Sequence, residues 1–337
     1  MRGWHFFGVR TLLVAAAGGH LEELWRLRPR LTGLGDDVVW VTNDTSQARS
    51  LLVGEQWLFA PVARPRDIGA TVSNLRLARH VLALDHWTDV VSTGPLVAVP
   101  FMTVARAHGV RCHFIESSSR VLGPSLTGKI VERLPGVACY SPYPWWKRRS
   151  WRYRGSVLDG FAPAPSWRPA LRRAVVTVGT SPYGFRRLLD ALVTMFPPDC
   201  EVLWQTGATD VRGLGIRARR YVPRPELVEA IARADLVVSH AGVGSALAAM
   251  CAGRSPLLVP RRAVRGEHVD DHQVEIADEL ERRGLALTLP LEDPDPEFLW
   301  KAASARVRAV PVGRPFVLDG IPSAPVRDRE QLPLATA

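Results

Sequence analysis

The chain has 337 residues, of which 47% are hydrophobic and 23% charged, a balance that excludes disorder throughout and fits two ordinary α/β domains. The net charge of +10 is carried by arginine, since only Lys129, Lys147 and Lys301 are lysines. This bias, together with abundant Ala, Val and Pro, is more typical of a GC-rich genome than of a nucleic-acid-binding surface. The basic excess alone is compatible with DNA, RNA, anionic lipid or a phosphate-bearing substrate and does not choose among them. We expect no nucleic-acid partner.

Short apolar runs alternate with amphipathic stretches along most of the chain. The predicted strands are Leu12–Ala15, Val38–Val41, Val90–Ser92, Cys112–Glu116, Val137–Tyr140, Val175–Val178, Val202–Gln205, Leu236–Ser239, Leu257–Val259 and Leu285–Leu289. The predicted helices between them include Asn74–Leu84, Pro225–Arg233 and His272–Arg283. Continuous apolar strands that alternate with helices are typical of parallel sheets covered on both faces, so the sequence predicts an α/β protein with Rossmann-like, doubly wound domains.

The domain boundaries follow from composition. Residues 159–169 contain three prolines and no apolar period, which predicts a linker between a domain at 1–158 and a second at 170–310. Residues 311–337 are rich in proline and charge and are predicted to be loosely ordered. The apolar run after Arg10 is shorter than that of a signal peptide, and no segment has the length of a membrane span. We therefore expect a cytoplasmic protein, free or at the membrane surface.

The first predicted strand ends at Gly18-Gly19-His20, directly before a helical pattern. Glycines at such a junction let a ligand approach the backbone, and a helix N-terminus favours negative charge. A tight turn with His20 as a polar helix cap is the structural alternative. The position at a strand end favours ligand binding, because ligands of open α/β sheets bind at the carboxyl ends of strands.

A longer glycine motif, Ser239-His240-Ala241-Gly242-Val243-Gly244-Ser245, links another predicted strand to a helix. Its free N–H groups and the Ser245 hydroxyl could hold a diphosphate, although the motif lacks the lysine of a P-loop. A second glycine turn, Gly179-Thr180-Ser181, lies about sixty residues earlier at another strand end. Two such turns in one half of the chain favour a phosphate-binding function.

The segment from Glu267 to Gln273 contains two histidines and several carboxylates, which raises the possibility of a metal site. Asp271, His272 and Gln273 are adjacent at a predicted helix start, so we expect their side chains to diverge and no metal to bind. Asp271 and Gln273 could instead hold sugar hydroxyls.

Aromatic and basic residues are concentrated between Pro142 and Arg154. The candidate membrane contacts are Trp145, Trp146, Lys147, Arg148, Arg149 and Trp151. Tryptophan prefers a lipid interface, and bases near an anionic leaflet hold a protein there. Stacking on single-stranded nucleic acid and an ordinary mixture of core and surface residues are the alternatives.

In combination and order, these motifs resemble a fusion of the two subunits of the eukaryotic N-acetylglucosaminyltransferase that adds the second sugar to dolichol-linked oligosaccharide. Bacterial exopolysaccharide glycosyltransferases are similar, and the lipid II synthase is a more distant relative. Gly18-Gly19-His20 and Ile115-Glu116-Ser117 resemble the acceptor-side subunit. Gln205-Thr206-Gly207, Ser239-His240-Ala241-Gly242 and Asp271-His272-Gln273 resemble the donor-binding subunit.

The resemblance implies the GT-B fold, with residues 1–158 on the acceptor and membrane side and 170–310 binding a nucleotide sugar. It implies an inverting transfer from a UDP-sugar to a lipid-linked or saccharide acceptor, without a metal or cofactor. His20 is the first candidate for the base and Glu116 the second. The implied donor-binding residues are Gly18, Gly19, Gly179, Thr180, Ser181, Gln205, Gly207, Tyr221, Val222, His240, Ala241, Gly242, Val243, Gly244, Ser245, Glu267, Asp271, His272 and Gln273.

Two departures from the family matter. The anchoring subunit carries an N-terminal transmembrane helix that is not found here, and Ala248 stands where the donor subunit has a glutamate that contacts ribose. Glu267 could replace that glutamate, or the nucleotide preference could differ. Two alternatives stay open: a natural-product glycosyltransferase with a soluble acceptor, and a nucleotide-sugar 2-epimerase of the same fold. The sequence does not indicate an oligomeric state.

Overall fold

The computed structural model describes residues 10–62, 68–166 and 171–320. The helices are α1 Gly19–Leu27, α2 Ser46–Leu51, α3 Ile68–Ala83, α4 Ala98–Ala107, α5 Leu126–Val131, α6 Arg186–Leu192, α7 Arg224–Arg233, α8 Val243–Cys251, α9 His272–Arg282 and α10 Glu297–Ser304. The strands of the first half are β1 Arg10–Ala15, β2 Leu31–Thr32, β3 Asp37–Thr42, β4 Gln56–Phe59, β5 Asp89–Gly94, β6 Arg111–Ile115, β7 Val137–Ser141, β8 Trp151–Tyr153 and β9 Phe161–Ala164. Those of the second half are β10 Arg173–Thr177, β11 Glu201–Gln205, β12 Ala218–Arg219, β13 Leu236–His240, β14 Leu257–Val259, β15 Leu287–Thr288, β16 Arg306–Ala309 and β17 Phe316–Val317.

Two parallel sheets organise the described residues. The first has the order β4-β3-β1-β5-β6-β7-β8 and the second the order β12-β11-β10-β13-β14-β15. Central strands such as β1 and β5 are almost wholly buried because helices cover both faces of each sheet. This arrangement confirms the predicted pair of Rossmann-like domains, and every predicted strand is present within a residue or two of its predicted bounds.

The region predicted as a linker and the start of the predicted tail have more structure than expected. Within the linker, β9 pairs antiparallel with β16, while residues 167–169 lie outside the described residues. After Pro311 the chain returns to the first domain, where β17 pairs with β2. Phe316 is fully buried there and packs edge-on against Tyr140, with ring centroids 5.4 Å apart. The proline and charge of this region predict loose order, but residues 316–318 form a short apolar run that packs on the first domain. Residues 321–337 lie outside the described residues.

The two domains meet through ion pairs and through their glycine-rich helix starts. Arg120 Nη1 lies 2.7 Å from Asp270 Oδ2, and Glu275 accepts hydrogen bonds from the backbone N–H groups of Val121 and Leu122. An added Cβ on Gly244 at the start of α8 would lie 3.3 Å from Gly19 Cα at the start of α1. The first turns of α1 and α8 therefore approach so closely that a Cβ at Gly244 would require the backbone at Gly19 to move by a few tenths of an ångström.

Candidate active site

A cavity of about 600 Å³ lies between the domains, at the carboxyl ends of both sheets. Its wall includes His20 from the first domain and the start of α8 from the second. The sequence-predicted residues that line it are Gly18, Gly19, His20, Gly179, Thr180, Gln205, Tyr221, Val222, His240, Ala241, Gly242, Val243, Gly244, Ser245, His272 and Gln273. Five of the predicted catalytic and donor-binding residues are not part of this wall: Glu116, Ser181, Gly207, Glu267 and Asp271.

His20 is held in one tautomer by the end of β5. Its Nδ1 lies 2.7 Å from the carbonyl oxygen of Thr93, and the Thr93 hydroxyl donates to the carbonyl of His20. A carbonyl only accepts, so Nδ1 carries the proton and Nε2 keeps its lone pair. Burial, with smaller contributions from nearby Arg120 and His272, lowers the pKa of His20 to about 4 against the opposing effect of the hydrogen bond to Thr93. The ring is therefore neutral at pH 7, which is the form a general base requires.

Glu116, the second predicted base, is a structural residue. Its Oε1 accepts from the backbone N–H of Ser117, and its Oε2 accepts from both the N–H and the hydroxyl of Ser125, which caps α5. It faces a separate small cavity with Glu23 and Ser118 rather than the interdomain cavity. The prediction of a catalytic Glu116 is corrected, because both carboxylate oxygens are used to hold the loop before α5.

The start of α8 supplies free backbone donors. Gly242 precedes the helix without a side-chain cap, so the N–H groups of Val243, Gly244 and Ser245 have no intrahelical partner. The partly buried ring of His240 lies between two glycines. An added Cβ would lie 2.3 Å from its Nε2 if placed on Gly242 and 2.6 Å from its Cε1 if placed on Gly179. Burial, and then Arg261, lowers the pKa of His240 to about 3, so this ring is also neutral.

Arg261, which the sequence interpretation missed, holds together two loops of the second domain. It is fully buried, and its guanidinium donates to the carbonyls of Val178, Tyr183, Gly184 and Glu267. Burial lowers its pKa to about 10. A buried arginine that bonds several carbonyls fixes the loops that carry them, so Arg261 joins the loop after β10 to the loop before α9. The adjacent pair Arg261-Arg262 after an apolar strand was the available signal.

Of the three residues predicted to contact the sugar or the ribose, Gln273 faces the cavity, whereas Asp271 and Glu267 do not. The backbone N–H of Arg261 binds the Gln273 side-chain oxygen at 3.1 Å, which leaves the amide nitrogen for a ligand. Asp271 accepts from the N–H of Ala263, and Glu267 is bound by the Arg187 guanidinium at 3.0 Å. Asp271 and Glu267 are therefore corrected from donor contacts to loop-stabilising residues.

The loop before α9 brings together a group of side chains that the sequence argument did not consider, and the expected divergence of Asp271, His272 and Gln273 remains a prediction. Ligating atoms of His268, Asp270 and His272 lie within 4.8 Å of one another, and both histidines line the cavity. The sequence argument considered the helix start at Asp271 to Gln273, whereas the loop before it folds His268 back over His272, with ring centroids 4.6 Å apart.

Three of the five aromatic side chains between Pro142 and Arg154 are buried. Trp146 and Trp151 are buried, and Trp151 Nε1 donates to Glu132. Trp145 is 41% exposed, and the indoles of Trp145 and Trp146 both donate to the carbonyl of Val121. Trp146 and Trp151 are thus corrected from lipid contacts to core residues, while Lys147, Arg148 and Arg149 remain exposed.

Exposed leucines lie on the neighbouring loop and at the start of α5. Leu122 is 78% and Leu126 75% exposed, next to the exposed base Lys129. We call Leu122, Leu126 and Trp145 the apolar surface of α5, of which Leu126 lies in the helix itself and the other two lie on loops. Within the described residues, no helix has both the length and the apolarity needed to cross a bilayer.

Two facing Rossmann-like sheets with a cavity between them are the GT-B fold. Comparison with known proteins identifies the chain as a glycosyltransferase. Residues 175–289 match the glycosyltransferase family 28 C-terminal domain. The chain is 26% identical over 322 residues to the UDP-N-acetylglucosamine–N-acetylmuramyl-(pentapeptide) pyrophosphoryl-undecaprenol N-acetylglucosamine transferase of Nitrosococcus oceani, covering 86% of this chain and 88% of that protein.

Two further similarities agree with the class. The UDP-N-acetylglucosamine transferase subunit ALG13 of Yarrowia lipolytica is 45% identical over 58 residues, or 17% of this chain and 28% of that subunit. The crystal structure of Acinetobacter baumannii MurG superimposes with a TM-score of 0.53 at 15% identity, covering 88% of this chain and 94% of that one, and shows the shared fold. A fusion of two eukaryotic subunits remains a prediction.

Proposed function

We propose that this glycosyltransferase transfers a sugar from a UDP-sugar, in the first instance UDP-N-acetylglucosamine, to a lipid-linked or polysaccharide acceptor, with inversion and without a metal. One observation carries the proposal: a neutral His20 and the free N–H groups of α8 face the same cavity from opposite domains. The relative from Nitrosococcus oceani is named for a transfer between a UDP-sugar and an undecaprenol-linked acceptor, which supports these substrate classes.

In the proposed reaction His20 Nε2 removes the proton of the acceptor hydroxyl while its oxygen attacks the anomeric carbon. The bond from that carbon to the diphosphate oxygen breaks, and the nucleoside diphosphate leaves with the bonding electrons. Attack from the face opposite the leaving group inverts the configuration. The proton passes from His20 to solvent, so the products are the new glycoside, UDP and one proton.

The leaving diphosphate gains charge that fixed donors can stabilise. The N–H groups of Val243, Gly244 and Ser245 and the positive end of α8 supply this stabilisation, with Thr180 beside them. Gln273 and His272 hold the sugar, and Tyr221 and Val222 border the base. Ala248 also lines the cavity, so α8 offers no carboxylate to the ribose at that position.

We further propose that the enzyme works at an anionic membrane surface through the apolar surface of α5. Leu122, Leu126 and Trp145 offer apolar contact, and the exposed Lys129 and Lys147 favour anionic headgroups. This places the membrane contact on the acceptor-side domain, where a lipid-linked substrate would enter.

The test incubates the full chain with UDP-N-acetylglucosamine, UDP-glucose and a thymidine-diphosphate sugar, each with and without a short-chain polyprenyl diphosphate sugar. We expect release of UDP only when the acceptor is present, and a product with inverted anomeric configuration by NMR. Epimer formation without acceptor would support the 2-epimerase instead. Transfer restricted to soluble non-saccharide acceptors would support a natural-product enzyme, and no release from any donor would overturn the proposal.

A further inference from the structure

The loop between β14 and α9 brings two imidazoles and a carboxylate together at the cavity wall. We call His268, Asp270 and His272 the histidine cluster. Their ligating atoms lie within 4.8 Å of one another, and both histidines border the cavity. Two arginines fix this loop at Glu267: Arg261 donates to its backbone carbonyl, and Arg187 donates to its carboxylate. The cluster is therefore placed on a supported loop.

One imidazole nitrogen of the cluster lacks a partner. His268 Nδ1 is buried and makes no hydrogen bond among the described residues. It lies 3.9 Å from Asp270 Oδ1, which is too long for a hydrogen bond. Two ligands of a tetrahedral zinc ion, each bound at about 2.0–2.1 Å, lie about 3.4 Å apart. A cation between His268 Nδ1 and Asp270 Oδ1 would thus satisfy both atoms after a small side-chain movement.

Asp270 is oriented for such a role by the opposite domain. Its Oδ2 accepts from Arg120 Nη1 at 2.7 Å, while Oδ1 faces the two histidines and accepts from His272 Nδ1. A hydrogen bond to the second oxygen of a ligating carboxylate fixes its orientation, as outer residues do in metal sites.

We propose that the histidine cluster binds one divalent transition-metal ion of the zinc class, and that the bound ion excludes the donor sugar from the cavity. Two imidazoles favour zinc, cobalt or nickel over magnesium or calcium, which prefer oxygen ligands. For His272 to ligate the ion, its Nδ1 must release to solvent the proton that it now donates to Asp270. The exclusion follows because the His272 ring, which lines the cavity beside Gln273, would then be held by the ion and not by the sugar. This second part rests on the proposed function, whereas metal binding does not.

Metal binding is tested directly on the full chain with Co²⁺, followed by its visible absorption, and with Zn²⁺ by calorimetry. The parent protein and His86→Ala, a change of an exposed histidine outside the cluster, are expected to bind one ion per chain. His268→Ala and Asp270→Asn are expected to lose the absorption band, and Arg120→Gln should weaken binding about 10–100-fold, as outer-residue changes do. Circular dichroism checks that each variant is folded.

Absence of a one-to-one Co²⁺ spectrum in the parent, or an unchanged spectrum in His268→Ala, overturns the metal site. The exclusion is tested by titrating UDP-N-acetylglucosamine with and without Zn²⁺, using folded His268→Ala to correct for Zn²⁺ bound by the nucleotide. We expect weaker donor binding with Zn²⁺ in the parent alone; equal or tighter binding overturns the exclusion. A parent that binds Co²⁺ but no sugar nucleotide would refute the proposed function and leave the metal site standing.

Discussion

At the scale of single residues, the fixed tautomer of His20 determines what the cavity can do. The carbonyl of Thr93 keeps the proton on Nδ1, so Nε2 is ready to accept a proton. We predict that His20→Ala lowers kcat by about 10²–10⁴, the usual contribution of a general base, while donor affinity stays unchanged. Turnover is followed by UDP release and affinity by calorimetry.

The matched control for this prediction is His86→Ala, which removes an exposed imidazole that does not line the cavity. Its kcat should equal that of the parent. Near-parental turnover in folded His20→Ala would exclude His20 as the base.

Site residues at strand-to-helix junctions were predictable from the sequence, and the structural roles of residues whose partners are remote in the sequence were not. Gly242, Gly244 and His20 lie at or just after such junctions, where local sequence indicates ligand contact. Glu267 looked available because its partner Arg187 lies eighty residues away in the chain. Glu116 looked catalytic for the same reason, since local sequence does not show that Ser125 folds back onto it.

At the scale of elements, the ring of His240 acts as a spacer between the loop after β10 and the start of α8. An added Cβ on Gly242 would lie 2.3 Å from His240 Nε2, so either the ring or the backbone at the start of α8 must shift. We predict that Gly242→Ala weakens donor binding at least 10-fold, because either shift disturbs the N–H groups that bind phosphate. Calorimetry with UDP provides the measurement.

Gly313→Ala is the control, since an added Cβ there meets no atom within 4 Å. It should bind UDP as the parent does. Parental UDP affinity in Gly242→Ala would show that the start of α8 does not hold the diphosphate.

The loop before α5 gives a second prediction at this scale. Changing Leu122 and Leu126 together to serine should reduce binding to anionic vesicles, because both side chains are largely exposed and lose their apolar contact with lipid. Vesicle sedimentation measures the bound fraction, and high salt should reduce it in the parent as well.

Val53 and Val264 are at least as exposed but lie on other parts of the molecule. Their joint change to serine should leave sedimentation unchanged. A parent protein that does not sediment with anionic vesicles would contradict the membrane proposal.

Elements were predicted well where their own sequence was sufficient. The long parallel strands have continuous apolar runs, and α9 has a clear helical period. In contrast, β9, β16 and β17 have two to four residues each, and they exist because a partner strand is brought to them by the rest of the fold. Such pairings depend on tertiary structure more than on local propensity.

At the scale of the whole molecule, buried titratable groups set the response to acid. Burial lowers the pKa values of His20, His240 and His268 to about 4, 3 and 4, so below pH 6.5 the unfolded chain binds protons that the folded one does not. These three histidines therefore lower the free energy of unfolding as the pH falls from about 6.5 towards their folded pKa values. Glu23 and Glu116 act in the opposite direction, because burial raises their pKa values, that of Glu23 to about 7.

Three histidines outweigh two carboxyl groups, so we predict that the free energy of unfolding decreases between pH 6.5 and 5. A net difference of one proton corresponds to about 1.4 kcal/mol per pH unit. Urea titrations at several pH values measure the slope. Glu23→Gln removes one opposing group and should steepen the loss, whereas stability that rises on acidification would contradict the assignment.

The return of the chain after β16 to the first domain has a consequence for gene architecture. The polypeptide crosses between the domains twice, once before β10 and once after α10, and the second crossing ends with Phe316 and Asp319 docked on the first domain. If a gene encoding this fold were split between β9 and β10, the donor-binding product would still carry the segment that docks on its partner. Two separately translated polypeptides could therefore reassemble by pairing β16 with β9 and β17 with β2, without evolving a new protein–protein interface.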